Sequence, residues 1–193
     1  MTIPHGYHAA RLPADRRQHA QWPILQTYYF AGLVAPDDCM LDLGAGYGHF
    51  IHAAEARRRI AIEKWPGFLP FLATGVAWHV GPAANLAILD DRTIGFTFAC
   101  NLFGHLVWSD LKLELADLRS NMPPGEALII LQPKYRYAYL DSFADDDHTS
   151  RCFQISRPQY LISHGRVIID VEPRFMPLTI KGQPPASPWL LQL

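Results

Sequence analysis

The segment Leu41-Asp42-Leu43-Gly44-Ala45-Gly46-Tyr47-Gly48 places three glycines at alternate positions directly after an apolar run. Cys39 to Leu43 reads as a buried strand. His49 to Arg59 reads as the helix that follows, with Arg57, Arg58 and Arg59 at its C-terminal end, where positive charge suits the helix dipole. A strand, a glycine turn and a helix in succession let backbone approach a ligand closely. Glycine adopts positive φ without penalty, and a helix start offers unpaired N–H groups. The spacing is GxGxG. In a dinucleotide fingerprint, GxGxxG, the third glycine would stand where His49 is. The Gly-Lys-Ser/Thr of a phosphate loop is absent. Asp42 points the same way, because a carboxylate before the turn repels pyrophosphate and attracts an ammonium.

Outward from this loop, short strand signals alternate with helical ones. Ile60–Glu63, Val76–Val80, Ile94–Cys100, Ala127–Leu131 and Val167–Val171 read as further strands. Ala127–Leu131 is uniformly apolar, as strands covered on both faces are. A helix opening at Ser109 or Asp110 puts Leu111, Leu115 and Leu118 on one face, and Met122-Pro123-Pro124-Gly125 stops it. Near the N-terminus, Asp15 caps a helix to Ala20, and a second helix starts after Pro23. Strands alternating with helices predict α/β architecture: a doubly wound, mostly parallel sheet with helices on both faces. The expected division of one domain over 1–193 is an N-terminal helical lid at 1–37, a ligand-binding core at 38–135, and substrate-side loops with a sixth strand and proline-rich tail at 136–193.

Composition narrows the function classes. The chain has 193 residues, 49% hydrophobic and 18% charged, with a net charge of -1. That is a globular composition with no basic excess, so nucleic acid is not an expected partner. Apolar runs are too short for a membrane span. The N-terminus, with Pro4, Pro13, Arg16 and Arg17, does not read as a secretory leader. Cys39, Cys100 and Cys152 are odd in number and form no CxxC pair. They read as thiols of a reducing, cytoplasmic protein.

LDLGAGYGHF resembles the first motif of class I S-adenosylmethionine (SAM)-dependent methyltransferases. IAIEK is similar to the family's second strand, HVGPAANLAI to its third-strand segment, FTFACNLFGHL to its fourth and MPPGEALIILQPKYRY to its helix stop and fifth. The resemblance implies a Rossmann-like fold and SAM as cofactor, with S-adenosylhomocysteine as product. It implies a cofactor site of Asp42, Gly44, Gly46, Gly48, Glu63, Ala83 and Asn101. Glu63, 15 positions after Gly48, would take both ribose hydroxyls, since a carboxylate accepts two hydrogen bonds in a fork. Asn101 would contact the methionine part of SAM or the substrate. Pro82 stands where many members carry an Asp on the adenine amino group, so the Ala83 backbone or Asn85 would serve. Gly104 stands where many carry an acid.

Methyl transfer from a sulfonium needs position and electrostatics, and an oxygen acceptor also needs a base. His105 follows the fourth strand and His148 the fifth, so both loops lie at the carboxyl edge of the sheet. They are the candidate catalytic bases. Asp145-Asp146-Asp147 reads as a solvated acidic loop, with no metal site, because adjacent side chains diverge. Arg136 and Arg174 are candidates for an anionic or sugar acceptor.

The expected function is methyl transfer to a small-molecule acceptor, with O-methylation favoured by His148. A saccharide or lipid-linked glycan acceptor follows from resemblance alone. Two other readings stand beside it: a methyltransferase-like scaffold without catalysis, motivated by Pro82 and Gly104, and a nicotinamide-dependent oxidoreductase, opposed by His49. The family's sheet has seven strands, and the segment after Val171 holds five of the chain's 16 prolines, so the last strand is expected to be missing. An uncovered sheet edge favours association, so a homodimer is expected. Light scattering at micromolar concentration checks it: a dimer mass is the expected outcome, and a monomer mass counts against it.

Overall fold

Five of the apolar segments pair into one sheet. They are β1 (Cys39–Leu43), β2 (Arg58–Glu63), β3 (Val76–Val80), β4 (Phe96–Cys100) and β5 (Ala127–Leu131). Their order is β3-β2-β1-β4-β5, and every neighbouring pair is parallel. The computed structural model describes residues 16–28, 30, 32–83, 86, 89 and 94–131, all within one compact unit. The sixth strand at Val167–Val171, the proline-rich tail, Cys152, and the boundaries drawn at 135 and 136 lie outside the described residues. So does the segment in which a seventh strand is expected to be absent.

The expected doubly wound parallel sheet is present. β1 is central and buried along its whole length, with Leu41 opposite Ile60 on one side and Thr97 on the other. The chain lays β2 and β3 to one side of β1, then returns to lay β4 on the other. The loops after β1 and β4 therefore diverge from adjacent strands, and a crevice opens between them at the carboxyl edge.

Two helical expectations change. The N-terminal segment is one helix, α1 (Arg16–Tyr28), that runs through Pro23. Proline costs an interior N–H bond. In the turn after the proline, Thr27 Oγ1 donates to the Pro23 carbonyl at 2.9 Å. The helix after the glycine loop, α2, spans only His49–Ala53. Arg58 and Arg59 instead open β2, pairing with Cys39 and Met40. The Arg59 guanidinium donates back to the Ile51 carbonyl at 3.4 Å. Pairing along the full length of β1 outweighs the helix-dipole preference of the three arginines, a term of only ~0.3–1 kcal/mol.

Aromatic packing holds these pieces together. Phe50 of α2 stacks on Phe98 of β4 with centroids 3.7 Å apart. Trp22 of α1 meets both rings edge-on at 5.4 and 5.6 Å. Phe30 does the same at 5.3 and 5.8 Å. Edge-to-face pairs each add about 0.5–1.5 kcal/mol beyond area burial. The described part of the N-terminal segment is thus fastened to α2 and β4.

The last described helix, α3 (Trp108–Asn121), buries Leu111, Leu115 and Leu118 as its periodicity predicts. It also buries Glu114, which is 0% exposed with neither carboxylate oxygen hydrogen-bonded. Among the described residues no helix is long and apolar enough to cross a membrane.

Burial pushes the Glu114 carboxyl up to about 8, and the Asp117 charge adds to it. A pKa raised on folding means the folded state favours the protonated acid. That contribution is complete below the unfolded value and is lost as pH rises through about 8. Glu114→Gln should therefore stabilise the protein by about 2–4 kcal/mol near pH 8–9 and lose that advantage near pH 4. Urea denaturation at the two pH values checks this.

Candidate functional site

The glycine loop folds back over the end of β2. The Gly44 and Ala45 N–H groups both donate to the Ile62 carbonyl, at 2.8 and 3.2 Å. Gly46 N–H then donates to Glu63 Oε2 at 2.9 Å. On the other side of the same carboxylate, Trp65 N–H donates to Oε1 at 2.9 Å. The Glu63 backbone carbonyl accepts the Gly81 N–H, at 3.0 Å, from the turn after β3. One residue at the end of β2 thereby ties together the turns that follow three strands.

Gly44, Gly46 and Gly48 all have left-handed φ, at 69°, 54° and 74°. Their surroundings differ. A Cβ on Gly44 would come 3.2 Å from Leu102 Cδ1, and one on Gly48 would come 2.9 Å from His52 Nε2. A Cβ on Gly46 would meet nothing within 4 Å. The crest of the loop therefore faces open space, with backbone as its surface.

Two buried carboxylates stand behind this crest. Glu63 is 7% exposed and already accepts one N–H on each oxygen. A carboxylate has about four lone-pair sites, so each oxygen can accept once more, as a vicinal diol requires. Asp42 is 2% exposed, and its Oδ2 has no hydrogen-bond partner. Burial pushes its carboxyl up to about 8. The Glu63 charge adds to that shift, and a hydrogen bond from the Ile51 backbone opposes it. Cys100, at the end of β4, is pushed up to about 12 by burial and then by the Asp42 charge. It is a neutral thiol, not a nucleophile.

Asn101 follows directly, and among the described residues it alone combines a side chain with positive φ, 54°. Its N–H is held by the Leu131 carbonyl at 2.8 Å. Asparagine visits this region at low cost, and here it turns the chain at the carboxyl end of β4. His105 is half-buried four positions later, with its N–H on the Leu102 carbonyl at 3.0 Å. Ala83 is buried just past Gly81.

The fold therefore brings Asp42, Gly44, Gly46, Gly48, Glu63, Ala83 and Asn101 to the carboxyl edge of four adjacent strands, with His105 in the turn beyond Asn101. His148, Asn85, Arg136, Arg174 and the Asp145–Asp147 run lie outside the described residues. Among the described residues no cluster of His, Cys, Asp and Glu is arranged to hold a metal ion.

Several contributors escaped sequence reasoning. Tyr47, inside the loop, packs edge-on to Phe71 at 4.7 Å and to Trp65 at 5.4 Å. His52 Nε2 accepts the Ala73 N–H at 3.0 Å. Both contacts fasten the loop to the 3₁₀ turn Pro66–Phe71 and the residues after it. Three aromatic residues within a few positions of Glu63 and Gly46 were the available signal. Leu102 beneath Gly44 had none.

No family model and no curated relative matches the sequence. Solved structures do. A SAM-dependent methyltransferase from Archaeoglobus fulgidus aligns with 82% of this chain and 71% of its own, at a TM-score of 0.63 and 18% identity. The fold is that of the SAM-dependent methyltransferases. A second such protein, from Clostridium acetobutylicum, aligns with 70% of the chain at a TM-score of 0.52 and 16% identity, and this chain spans 58% of its length. Phosphoethanolamine N-methyltransferase 1 of Haemonchus contortus, solved with S-adenosylhomocysteine, aligns with 61% of the chain and 25% of its own, at a TM-score of 0.50 and 18% identity.

Within this methyltransferase fold, the loop glycines are not equivalent. Gly46→Ala should cost about 1–2 kcal/mol, the backbone penalty of left-handed φ alone. Gly48→Ala adds a collision with His52, whose retreat would break its bond to Ala73. It should cost roughly 1–3 kcal/mol more. Urea denaturation of the two variants tests the order.

Proposed function

We propose that the chain binds SAM and transfers its methyl group to a small-molecule acceptor. The observation that carries this is the open crest at Gly46 backed by two buried carboxylates, one with an oxygen left unpartnered, at the switch point of this fold. A pyrophosphate ligand would not suit two carboxylates. A cationic amino-acid end and a ribose diol would.

SAM when bound supplies a methyl group already activated on a sulfonium. The chain's own residues provide the rest. The loop backbone permits close approach. Glu63 accepts from the ribose hydroxyls with the lone pairs that Gly46 and Trp65 leave. Asp42 receives the ammonium, Asn101 lies against the methionine part, and the Ala83 backbone borders the adenine. His105 or His148 removes the proton from an oxygen acceptor, which makes O-methylation the favoured chemistry and a saccharide or lipid-linked glycan a candidate acceptor. S-adenosylhomocysteine leaves as product.

Calorimetric titration with SAM is the direct test. Binding is the expected result, and no heat at millimolar SAM would end the reading. Glu63→Ala should weaken binding by about 1–3 kcal/mol, whereas unchanged affinity would take Glu63 off the ribose. Once an acceptor is in hand, replacing the acting base, His105 or His148, with alanine should lower turnover by ~10²-fold with SAM affinity unchanged.

A further inference from the structure

Two neighbouring carboxylates in one dry site do not both hold charge at no cost. Glu63 has two backbone N–H donors, one on each oxygen. Asp42 has a single donor, the Ile51 N–H, and its Oδ2 faces no hydrogen-bond partner. Of such a pair, the member with fewer donors is the one that keeps a proton. Among the described residues, the groups found at Asp42 do not supply a countercharge. β2 presents the Glu63 carboxylate and β4 the Cys100 thiol. α2 presents the Ile51 N–H. Its His52 accepts a hydrogen bond from Ala73, and its His49 lies against the Tyr47 ring at 5.9 Å.

We propose that ligand binding is coupled to proton release at Asp42, so that the site admits an ammonium-bearing ligand in exchange for one proton. The inference rests on the SAM reading above. The balance is simple: Asp42–COOH and R–NH₃⁺ become the ion pair Asp42–COO⁻···⁺H₃N–R, and H⁺ passes to solvent. The carboxyl near 8 in the empty site supports the direction of exchange. Affinity for an amino-bearing ligand then rises with pH below that value and falls again above about 8, where an α-amino group loses its own proton. A ligand without the ammonium gains nothing. Asp42 is in this sense a specificity residue that reads positive charge.

The experiment is calorimetry on the full chain at pH 7.0 in two buffers of different ionisation enthalpy, with SAM and with 5′-methylthioadenosine, which lacks the amino-acid end. About 0.8 proton should be released per SAM bound, the proton of a carboxyl titrating near 8 less the small uptake by the ligand's partly neutral α-amino group, and none per methylthioadenosine. SAM affinity should rise roughly 20-fold from pH 6.0 to 7.5 on the same basis. Asp42→Asn, which copies the protonated acid in shape, should bind SAM more weakly and without proton release. SAM binding without proton release, or release that persists in Asp42→Asn, would overturn the coupling and leave the cofactor reading intact. No SAM binding at any pH would overturn both. If Asp42→Asn fails to fold, the two-buffer measurement on the unaltered chain still decides.

Discussion

A single carboxylate holds the functional edge of this protein in shape. Glu63 sits at the end of β2 and accepts N–H groups from Gly46 on one oxygen and Trp65 on the other. Those groups belong to loops with no regular partner of their own. A buried N–H without an acceptor costs about 1–3 kcal/mol, so the acid is a structural requirement of the loop. The Gly81 N–H on the same residue's carbonyl extends the hold to the turn after β3. The glycine loop keeps its left-handed turns because these bonds leave it nowhere else to go.

The neighbouring acid plays the opposite part. Asp42 lies two residues before Gly44, on the most buried strand, with an oxygen that nothing satisfies. A site that carries such a group keeps unspent electrostatic potential. Aromatic packing makes that cost bearable. Phe50, Phe98, Trp22 and Phe30 form one cluster that presses the short helix α2 onto the sheet. Tyr47, Trp65 and Phe71 form another, beside the loop itself. The two aromatic clusters thus pack on both sides of the loop and its short helix.

Much of this was legible in the residues. The GxGxG spacing, the apolar strand before it and the acid at the end of the next strand announced both the sheet and the loop at its edge. What misled were local preferences that tertiary pairing overrode. Arg57 to Arg59 look like a helix end, yet strand pairing with Cys39 and Met40 claims Arg58 and Arg59. Pro23 looks like a helix start, yet α1 passes through it because Trp22 is anchored in the aromatic cluster. Glu114 looks like one more solvated charge on an amphipathic helix, and it is fully buried. Periodicity reports which face a residue occupies, not how much of that face other elements cover.

By itself, then, the sequence determined the strand–glycine–helix unit, the pair of acids beside it, and the candidate ring of residues from Asp42 to Asn101. Those follow from spacing and from residue chemistry, which are local properties. Tertiary structure alone decided that Glu63 holds both the glycine loop and the turn after β2, that Asp42 Oδ2 lacks a partner, that Gly46 faces open space while Gly48 is walled by His52, and that Asn101 turns left-handed. Each of these depends on which strands become neighbours. A hydrogen bond between Gly46 and Glu63 spans 17 positions of chain, and only the parallel pairing of β1 with β2 brings its two ends together.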